Sequence, residues 1–213
     1  GVADWRGDNV TFWLPTQSPV LARMTYAKAL GLAKDKVKVF QLPLGGGFGG
    51  KLEYKLHPLC ALLSKISGRP VKMVNTRQDE LTASLPRVPM KIKMQLAVSK
   101  DGVFLGKKVK IIADNGAYMN YGPGILLSAA TRNDNLYKIK NIKTQGFLVY
   151  TNNMPTGAFR GFGCPQSHFA QETLVDEAAV KLGIDPAEIR LINASEKGDV
   201  TPHNWHLGSC GLS

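Results

Sequence analysis

The first part of the chain contains short runs of apolar residues. In some runs their spacing is typical of a strand, and in others it is typical of a helix. An apolar strand is predicted over residues 10–14, and a second strand over 36–42, where Val37, Val39 and Phe40 alternate with lysines. Between them, hydroxyl residues and a proline at 16–19 predict the start of a helix that continues to Leu30 and ends at Gly31. The second strand leads directly into a cluster of glycines, so a loop must follow it.

A second helix is predicted over residues 56–66 and ends at Gly68-Arg69-Pro70. Its apolar residues recur every three or four positions and form one stripe: Leu56, Leu59, Cys60, Leu63 and Ile66. We expect this stripe to lie in the core.

The second half of the chain begins with alternation of period two. Residues 88–99 and 103–114 are predicted strands joined by the turn Lys100-Asp101-Gly102, which predicts an antiparallel hairpin and excludes a purely parallel sheet. A short strand at 71–74, loops at 115–124 and 150–160, and helices at 169–182 and after the capping residue Asp185 complete the pattern. The predicted fold class is α+β, with a mixed sheet and helices, and no internal domain boundary is predicted within residues 1–213.

Composition limits the possible classes of protein. A chain of 213 residues with 44% hydrophobic and 20% charged residues is globular in character. Its apolar runs are too short for a membrane span and its first residues lack the order of a secretory signal. Three separated cysteines, Cys60, Cys164 and Cys210, indicate neither a disulfide framework nor a zinc or iron-sulfur site. We therefore expect a soluble protein of the reducing cytoplasm.

The net charge of +11 would suit a polyanion as partner. The lysines are nevertheless scattered from Lys28 to Lys197 without a dense basic run, interleaved aromatics or a nucleic-acid-binding motif. The sequence therefore predicts no nucleic-acid partner.

The glycine cluster Gly45-Gly46-Gly47-Phe48-Gly49-Gly50 is the first candidate for chemistry. It fits the pattern GxGxxG after a strand, which is typical of dinucleotide binding, but residues 65–72 lack the acidic residue that would hold a ribose. A P-loop also fits poorly, because Gly50-Lys51 is followed by Leu52 and not by a hydroxyl residue. A flexible connector remains possible, yet so many glycines favour a loop whose backbone closely approaches a ligand.

The second candidate is the segment of residues 156–166, where glycines flank Arg160, Phe159 and Phe162 just ahead of a helix. The guanidinium of Arg160 has a planar fork of donors that suits an anionic or oxygen-rich ligand. Alternatively, Arg160 binds loop carbonyls and is purely structural. Taken alone, Phe159 and Phe162 are predicted to be core residues.

Together, the glycine cluster with Lys51 and the segment Ala158-Phe159-Arg160-Gly161-Phe162-Gly163 resemble two signature loops of the molybdenum hydroxylases, the family of xanthine dehydrogenase and aldehyde oxidase. Thr16-Gln17 and Asp134-Asn135-Leu136-Tyr137-Lys138-Ile139 resemble further motifs of the molybdopterin-binding subunit, in the same order. The resemblance extends from about residue 10 to about residue 208 and implies the N-terminal part of the molybdenum-cofactor domain.

The resemblance also implies roles for individual residues. The molybdopterin cofactor would bind to Gln17, Gly46, Gly47, Phe48, Gly49 and Arg160. A flat substrate would stack on Phe162, with Leu52 and Ser128 also in contact with it. The protein would supply no direct metal ligand, because the pterin dithiolene holds the molybdenum.

Three positions depart from the family pattern. Xanthine-oxidising relatives have a glutamate where this chain has Leu52, with Glu53 one position later, and an arginine where it has Ser128. Cys164 stands where glycine is common, and nothing in the sequence explains it. Because purine recognition depends on such polar groups, xanthine is not favoured as the substrate.

By resemblance, the chain is a fragment of a larger oxidoreductase that hydroxylates a heteroaromatic or aldehyde carbon of a small-molecule substrate. The catalytic glutamate of the family lies beyond this chain, so we expect the isolated fragment to be inactive. The rest of the molybdenum subunit and modules with iron-sulfur clusters and FAD would be its partners. Asp114, Glu172, Asp176 and Glu177 are expected to be solvated or structural. A non-catalytic structural or assembly domain and an NAD-binding domain remain alternatives.

Overall fold

The computed structural model describes residues 1–52 and 56–209, so Glu53 and Cys210 lie outside the described residues. The chain divides into two compact units. Unit 1 contains Gly1–Pro86 and Gly157–Arg160, and unit 2 contains Arg87–Thr156 together with the described residues from Gly161 onward. Unit 1 is therefore completed by a short segment that comes late in the chain.

Unit 1 consists of a mixed sheet and three helices. Its strands are β1 (Val2–Arg6), β2 (Asn9–Leu14), β3 (Val37–Gln41) and β4 (Val71–Lys72), and its helices are α1 (Pro19–Leu30), α2 (His57–Ser67) and α3 (Arg77–Ala83). The strand order is β3-β2-β1-β4; β1 pairs antiparallel with β2 and β4, whereas β2 pairs parallel with β3. The predicted strand–helix–strand order at 10–42 is confirmed.

The core of unit 1 lies between this sheet and the helices. Phe12 and Tyr26 are fully buried, with ring centroids 4.8 Å apart, and the Tyr26 hydroxyl lies 2.7 Å from Nδ1 of His57. Burial lowers the pKa of His57 to about 4, so its ring is neutral near pH 7.

The apolar stripe of α2 is not a core stripe, which corrects the sequence prediction. Leu59, Leu63 and Ile66 are exposed, Ile66 to 83%. The buried residues of α2 are the small ones, Cys60, Ala61 and Ser64. Small side chains on the inner side let the helix axis approach β1 closely, and the larger leucines therefore point outward.

Unit 2 contains a three-stranded sheet and three helices. Its strands are β5 (Met90–Val98), β6 (Phe104–Gly116) and β7 (Asn141–Tyr150), and its helices are α4 (Gly122–Thr131), α5 (Cys164–Leu182) and α6 (Pro186–Asn193). The central strand β6 pairs antiparallel with β5, as the predicted hairpin requires, and parallel with β7. With one mixed sheet in each unit, the α+β class is confirmed.

The core of unit 2 forms where helices cover one face of this sheet. Phe104 and Tyr137 meet edge to face with centroids 5.3 Å apart, and Val175 of α5 and Ile189 of α6 are fully buried beside them. Asp185 caps α6 by accepting from the amides of Ala187 and Glu188, as predicted.

Several elements were not predicted or were placed wrongly. β1, α3 and β7 lie where no element was expected, α5 begins before residue 169, and the predicted loop 115–124 includes the end of β6 and the first turn of α4. Gly122-Pro123-Gly124 is typical of a turn by composition, yet proline is well tolerated in the first turn of a helix. No helix of the described chain is long and apolar enough to cross a membrane.

Candidate functional site

The glycine cluster follows β3 in unit 1 and has a backbone that most residues cannot adopt. Gly46 and Gly49 have φ angles of +120° and +97°, and Phe48 between them has φ +51°. Only glycine reaches the first two angles without strain, and phenylalanine at a positive φ is uncommon. Such a conformation persists where neighbouring groups impose it, and it often marks a ligand-binding segment.

Two of the glycines are also required by close contacts within unit 1. A Cβ atom on Gly47 would lie 2.4 Å from Cδ of Gln17, and one on Gly49 would lie 2.4 Å from the carbonyl oxygen of Ala158. Gly45 and Gly50, in contrast, face open space. The inner positions therefore need glycine for packing, whereas the outer two do not.

Gln17 holds the loop in this shape. Its Oε1 accepts hydrogen bonds from the amides of Gly49 (3.0 Å) and Lys51 (3.3 Å), and its own amide donates to the Lys51 carbonyl at 3.0 Å. Because both partners of Oε1 are donors, the orientation of the side-chain amide is fixed. The Nε2 group of Gln17 makes no hydrogen bond to any residue that the structure describes, so it can donate to a ligand.

The loop has further donors to offer. Within residues 1–52 and 56–209, the amides of Gly46, Gly47 and Phe48 donate to no protein acceptor, whereas those of Gly49, Gly50, Lys51 and Leu52 do. Consecutive free amides, two of them on residues without a Cβ, can together donate to an oxygen-rich or anionic group. The residues present therefore fit a phosphate- and carbonyl-bearing cofactor such as molybdopterin.

Arg160 lies near the same loop. Its Cζ is 5.6 Å from the ring centroid of Phe48, a cation–π contact between two exposed side chains of unit 1. The segment that carries Arg160 is fixed by the amide of Gly157, which donates to the Pro86 carbonyl at 3.0 Å. Unit 1 thus brings Gln17, the glycine loop and Arg160 together.

The dinucleotide alternative loses support from the same geometry. A 3-10 turn, Gly50–Leu52, follows the glycines, and α2 begins only at His57. A dinucleotide fold needs the glycines at the start of the helix, where the helix dipole meets the phosphates. Leu52, the proposed substrate contact, ends the 3-10 turn and is partly buried.

The other two predicted substrate contacts belong to unit 2. Phe162 has φ +49°, is partly buried, and meets the Tyr121 ring edge-on at 6.2 Å, while a Cβ on Gly124 would lie 3.3 Å from its ring. Ser128 lies on α4 and is 8% exposed.

Phe159 is 51% exposed, so the prediction that it is a core residue is wrong. Cys164, a partly buried free thiol at the start of α5, has no contact that explains it.

Of the four carboxylates expected to be solvated or structural, Asp114, Glu172 and Asp176 have partners within unit 2, and Glu177 is exposed. Asp114 accepts from the Thr151 hydroxyl (2.6 Å), from Asn153 and from the amide of Gly116, and these hydrogen bonds lower its pKa. Glu172 accepts from the Tyr137 hydroxyl at 2.8 Å and from Nε of Arg190 at 2.9 Å. Arg190 also pairs with Asp176.

A buried lysine is the feature that sequence reasoning missed. Lys107 is 4% exposed and its Nζ donates to Oε1 of Gln171 at 2.6 Å and to the Asn133 carbonyl. Burial lowers its pKa to about 8, and Asp134 and Glu172 oppose part of that shift. On β6 it precedes Lys108 and Lys110, which are exposed. The apolar residues Val109 and Ile111 recur at every second position after Lys107, which places Lys107 on their face and is the signal that the sequence offers.

Metal-ligating side chains do not cluster in the described part of the chain. No group of three or more His, Cys, Asp or Glu residues among residues 1–52 and 56–209 is arranged to hold a metal ion. Near the glycine loop, unit 1 offers backbone amides, one side-chain amide and one guanidinium to a ligand.

Comparison with known proteins gives consistent matches. Residues 1–194 match the family model described as "Molybdopterin cofactor-binding domain". The chain is 40% identical to a probable xanthine dehydrogenase subunit of Bacillus subtilis (strain 168) over 90% of its length, and 39% identical to "Nicotinate dehydrogenase large molybdopterin subunit" of Eubacterium barkeri over 89%. It spans 26% and 44% of the lengths of these two relatives.

Solved structures give the same result. The fold resembles aldehyde oxidoreductase from Desulfovibrio gigas, with a TM-score of 0.88 and 32% identity over 96% of this chain and 23% of that one. It also resembles quinoline 2-oxidoreductase from Pseudomonas putida 86, with a TM-score of 0.81 and 30% identity over 96% of this chain and 27% of that one.

Proposed function

Because the chain belongs to the molybdopterin cofactor-binding domain family, we propose that it forms part of the cofactor site of a molybdenum hydroxylase. The complete oxidoreductase would hydroxylate an electron-poor carbon of a heteroaromatic ring or of an aldehyde. The names of the relatives, which include xanthine and nicotinate dehydrogenases and an aldehyde oxidoreductase, support this class of reaction.

One observation carries the proposal: Gln17 holds the glycine loop in place, while three consecutive backbone amides of the loop stay available to a ligand. Oε1 of Gln17 fixes the loop, and the amides of Gly46, Gly47 and Phe48 have no acceptor among the described residues. Gly46 and Gly47 are partly buried and Phe48 is exposed, so these amides are accessible from outside the loop. Accessible donors held in a fixed shape can bind the oxygen atoms of a ligand without a prior rearrangement of the loop.

Each residue of this site has a separate task. The three loop amides would bind cofactor oxygens, Nε2 of Gln17 would donate to an oxygen near the metal, and the Arg160 fork would orient the cofactor by directed hydrogen bonds. When bound, the molybdenum cofactor supplies the oxygen-transfer and redox chemistry, which no group of protein side chains provides. The protein's contribution is binding and orientation.

The substrate contacts favour an apolar, flat substrate. We propose that the substrate ring stacks on Phe162 and that Leu52 and Ser128 also contact it. Neither Leu52 nor Ser128 bears a charge, so a substrate that needs several charged hydrogen-bond partners, such as xanthine, would leave polar atoms unpaired. A heteroaromatic compound or aldehyde with few polar atoms fits better.

The chain spans only part of its relatives, so the remaining components are also proposed. Residues 1–213 would be one partial cofactor domain, and the catalytic base would come from another part of the molybdenum subunit. Electrons would leave through iron-sulfur and FAD modules on other domains or subunits. The free thiols Cys60 and Cys164 support a location in the reducing cytoplasm.

A pair of Gln17 variants in the full-length protein tests the proposal. Gln17→Glu keeps an acceptor for the amides of Gly49 and Lys51 but removes the Nε2 donor, whereas Gln17→Met removes both. We expect Gln17→Glu to fold with the thermal stability of the parent protein and to bind less molybdenum and pterin per polypeptide. Gln17→Met should lower both stability and cofactor content.

Two results would contradict the proposal. An active, purified full-length protein without molybdenum and pterin would exclude the cofactor site altogether, in favour of a structural or assembly role for these loops. Unchanged molybdenum content in Gln17→Glu would restrict Gln17 to holding the loop. Added NAD should not raise the thermal stability of the protein, since the glycines do not precede a helix directly.

A further inference from the structure

The outer face of the sheet in unit 2 carries an unusual concentration of positive charge. Every second residue of β5 is exposed, and these positions share one face with Lys108 and Lys110 of β6 and with Lys143 of β7. Five lysines lie on it: Lys91 and Lys93 on β5, Lys108 and Lys110 on β6, and Lys143 on β7. We call these five residues the lysine face.

The lysines of this face stand directly opposite one another. Lys93 pairs with Lys110 across the antiparallel strands, and Lys108 pairs with Lys143 across the parallel ones. Like charges in directly opposed positions destabilise a sheet. In the rows between Gly106 and Ile112 the three strands present no Asp or Glu on this face.

Asp114 is the strand carboxylate nearest to the lysine face. It lies in the row of Val149, at the end of the sheet, four residues along β6 from Lys110. Its hydrogen bonds come from neutral groups, the Thr151 hydroxyl and the Asn153 amide, so it keeps its charge. Because of its position, no strand carboxylate stands opposite Lys93, Lys108, Lys110 or Lys143.

The charge is not a by-product of core packing. The opposite face of the same strands carries the core residues Val109 and Ile111, which pack with Ile92 and Met94 and against Ala129 of α4. Because side chains alternate strictly between the two faces, the lysines are fixed on the outer one. Any polar residue would satisfy that pattern, so the choice of five lysines needs a separate explanation.

The surroundings of the face extend the positive potential and add an exposed aromatic ring. A groove of about 610 Å³ at one end of the sheet is lined by Lys108, Lys140 and Lys143, among others. Phe147, which is 46% exposed, lies under Nζ of Lys110, 5.3 Å from ring centroid to nitrogen. Phe147 stands on the edge strand β7 beside the lysines, and exposed aromatic residues are enriched in protein interfaces.

We propose that the lysine face is the docking surface for a carboxylate-rich surface of a separate protein subunit. Opposed lysines repel each other in the free chain, and carboxylates placed between them would convert that repulsion into attraction. The partner is expected to be a separate subunit, because relatives of this chain are themselves named as subunits. The proposal does not depend on whether the site of unit 1 binds molybdopterin.

Nucleic acid is the competing polyanion and is less well matched. Single strands bind to aromatic platforms as well as to charge, and the ring of Phe147 is already in contact with Lys110. The face also lacks arginine, the residue most used for reading bases and phosphates.

The test uses the complex assembled from the full-length protein and purified from its natural source. A carbodiimide reagent, which links amines directly to carboxylates, should join Lys93, Lys108 or Lys110 to Asp or Glu residues of another subunit. The variant Lys93→Gln/Lys108→Gln/Lys110→Gln should lower the association rate constant for that subunit at least about tenfold at low salt. At about 1 M salt, where charges are screened beyond roughly 3 Å, the difference should disappear.

A matched control separates this surface from net charge. Lys100→Gln/Lys181→Gln/Lys197→Gln removes the same number of charges from exposed lysines of unit 2 outside the face, and should leave association unchanged. Equal loss in both variants would overturn the proposal, as would cross-links from the face only to its own polypeptide. Tighter binding of a duplex DNA oligonucleotide than of the partner subunit would also overturn it. Molybdenum content, measured on the same samples, reports separately on the proposed function.

Discussion

The glycine loop of unit 1 and the polar network of unit 2 satisfy their hydrogen-bonding groups in opposite ways. In unit 2, the ammonium of Lys107 binds Gln171 and a main-chain carbonyl, and Glu172 binds both Tyr137 and Arg190. In unit 1, the loop donates inward to Gln17 through Gly49 and Lys51 but leaves its preceding amides without a protein acceptor among the residues described.

This difference separates structural from ligand-binding polar groups more reliably than residue type does. Judged by type alone, Lys107, Glu172 and Arg190 are better candidates for chemistry than three glycines, because charged groups in a cleft often act in catalysis. Their partners within unit 2 instead identify them as structural groups. The loop has no charged side chain between Gly45 and Gly50, yet its donors are available for a ligand.

The strongest test of this difference between the two units is to fill the space between the glycine loop and the Ala158 carbonyl. Gly49→Ala would place Cβ 2.4 Å from the Ala158 carbonyl oxygen at a φ of +97°, and we expect it to be unfavourable by about 3 kcal/mol or more. The full-length protein should lose nearly all bound molybdenum. Gly45→Ala, in the same loop but facing open space, is the control and should retain it. Equal occupancy in both variants would show that the loop shape is irrelevant to binding.

The unit 2 network makes its own prediction through Lys107. Burial lowers the pKa of Lys107 from 10.5 to about 8, so between these values the unfolded chain binds a proton that the folded chain does not. Stability should therefore rise as pH increases from about 8 to 10.5, by an amount on the order of 3 kcal/mol from this group. Urea unfolding at several pH values should show the rise, and Lys107→Met should remove that component. An unchanged slope in Lys107→Met would contradict the assigned burial cost.

Arg160 tests the binding side of the comparison with a milder change. Arg160→Lys keeps the charge but loses the planar fork, and losing one charge-assisted hydrogen bond should lower turnover or molybdenum occupancy by about 1.5 to 3 kcal/mol, roughly ten- to a hundredfold. The fold should survive. If Arg160 only binds loop carbonyls, the melting temperature would fall instead while turnover per bound molybdenum stayed constant.

The smallest expected effect is on the structural side. Tyr137→Phe removes one hydrogen bond to Glu172 while the pair of Glu172 with Arg190 remains. We expect a loss of about 1 kcal/mol, or a melting temperature lower by roughly 2–4 °C, with molybdenum content per folded molecule unchanged. If the variant folded normally but lost the cofactor, Tyr137 would contribute to cofactor binding. The network of unit 2 could then no longer be called purely structural.

Elements with a strong local signal were the ones that the sequence predicted well. The hairpin β5–β6 has long alternation and a Lys-Asp-Gly turn, and α6 has a capping aspartate followed by proline, so both follow from local chemistry. The stripe on α2 was misplaced because periodicity identifies an apolar side but not what covers it. Tertiary packing made Cys60, Ala61 and Ser64 the inner side.

The candidate site was only partly predictable for a related reason. Glycine spacing and resemblance indicated the loop, Gln17 and Arg160, and these residues do lie in one unit. The orientation of the Gln17 side-chain amide depends on the amides of Gly49 and Lys51, which lie more than thirty residues away. Alternation along β6 places Lys107 on the inner face, but its partners Asn133 and Gln171 come from distant parts of the chain. Contacts so far apart in sequence could not be predicted from local patterns.

The discontinuity of unit 1 has a consequence for how the protein is made. The Ala158 carbonyl that backs Gly49 leaves the ribosome only after the whole first section of unit 2 has been synthesised. Nascent chains fold from the N-terminus as they emerge, so the sheet of unit 1 can form early. At that stage its glycine loop still lacks the contact with Ala158. The loop can therefore reach its final packing only late in translation, and the proposed cofactor site would be complete only in chains that have been synthesised past Arg160.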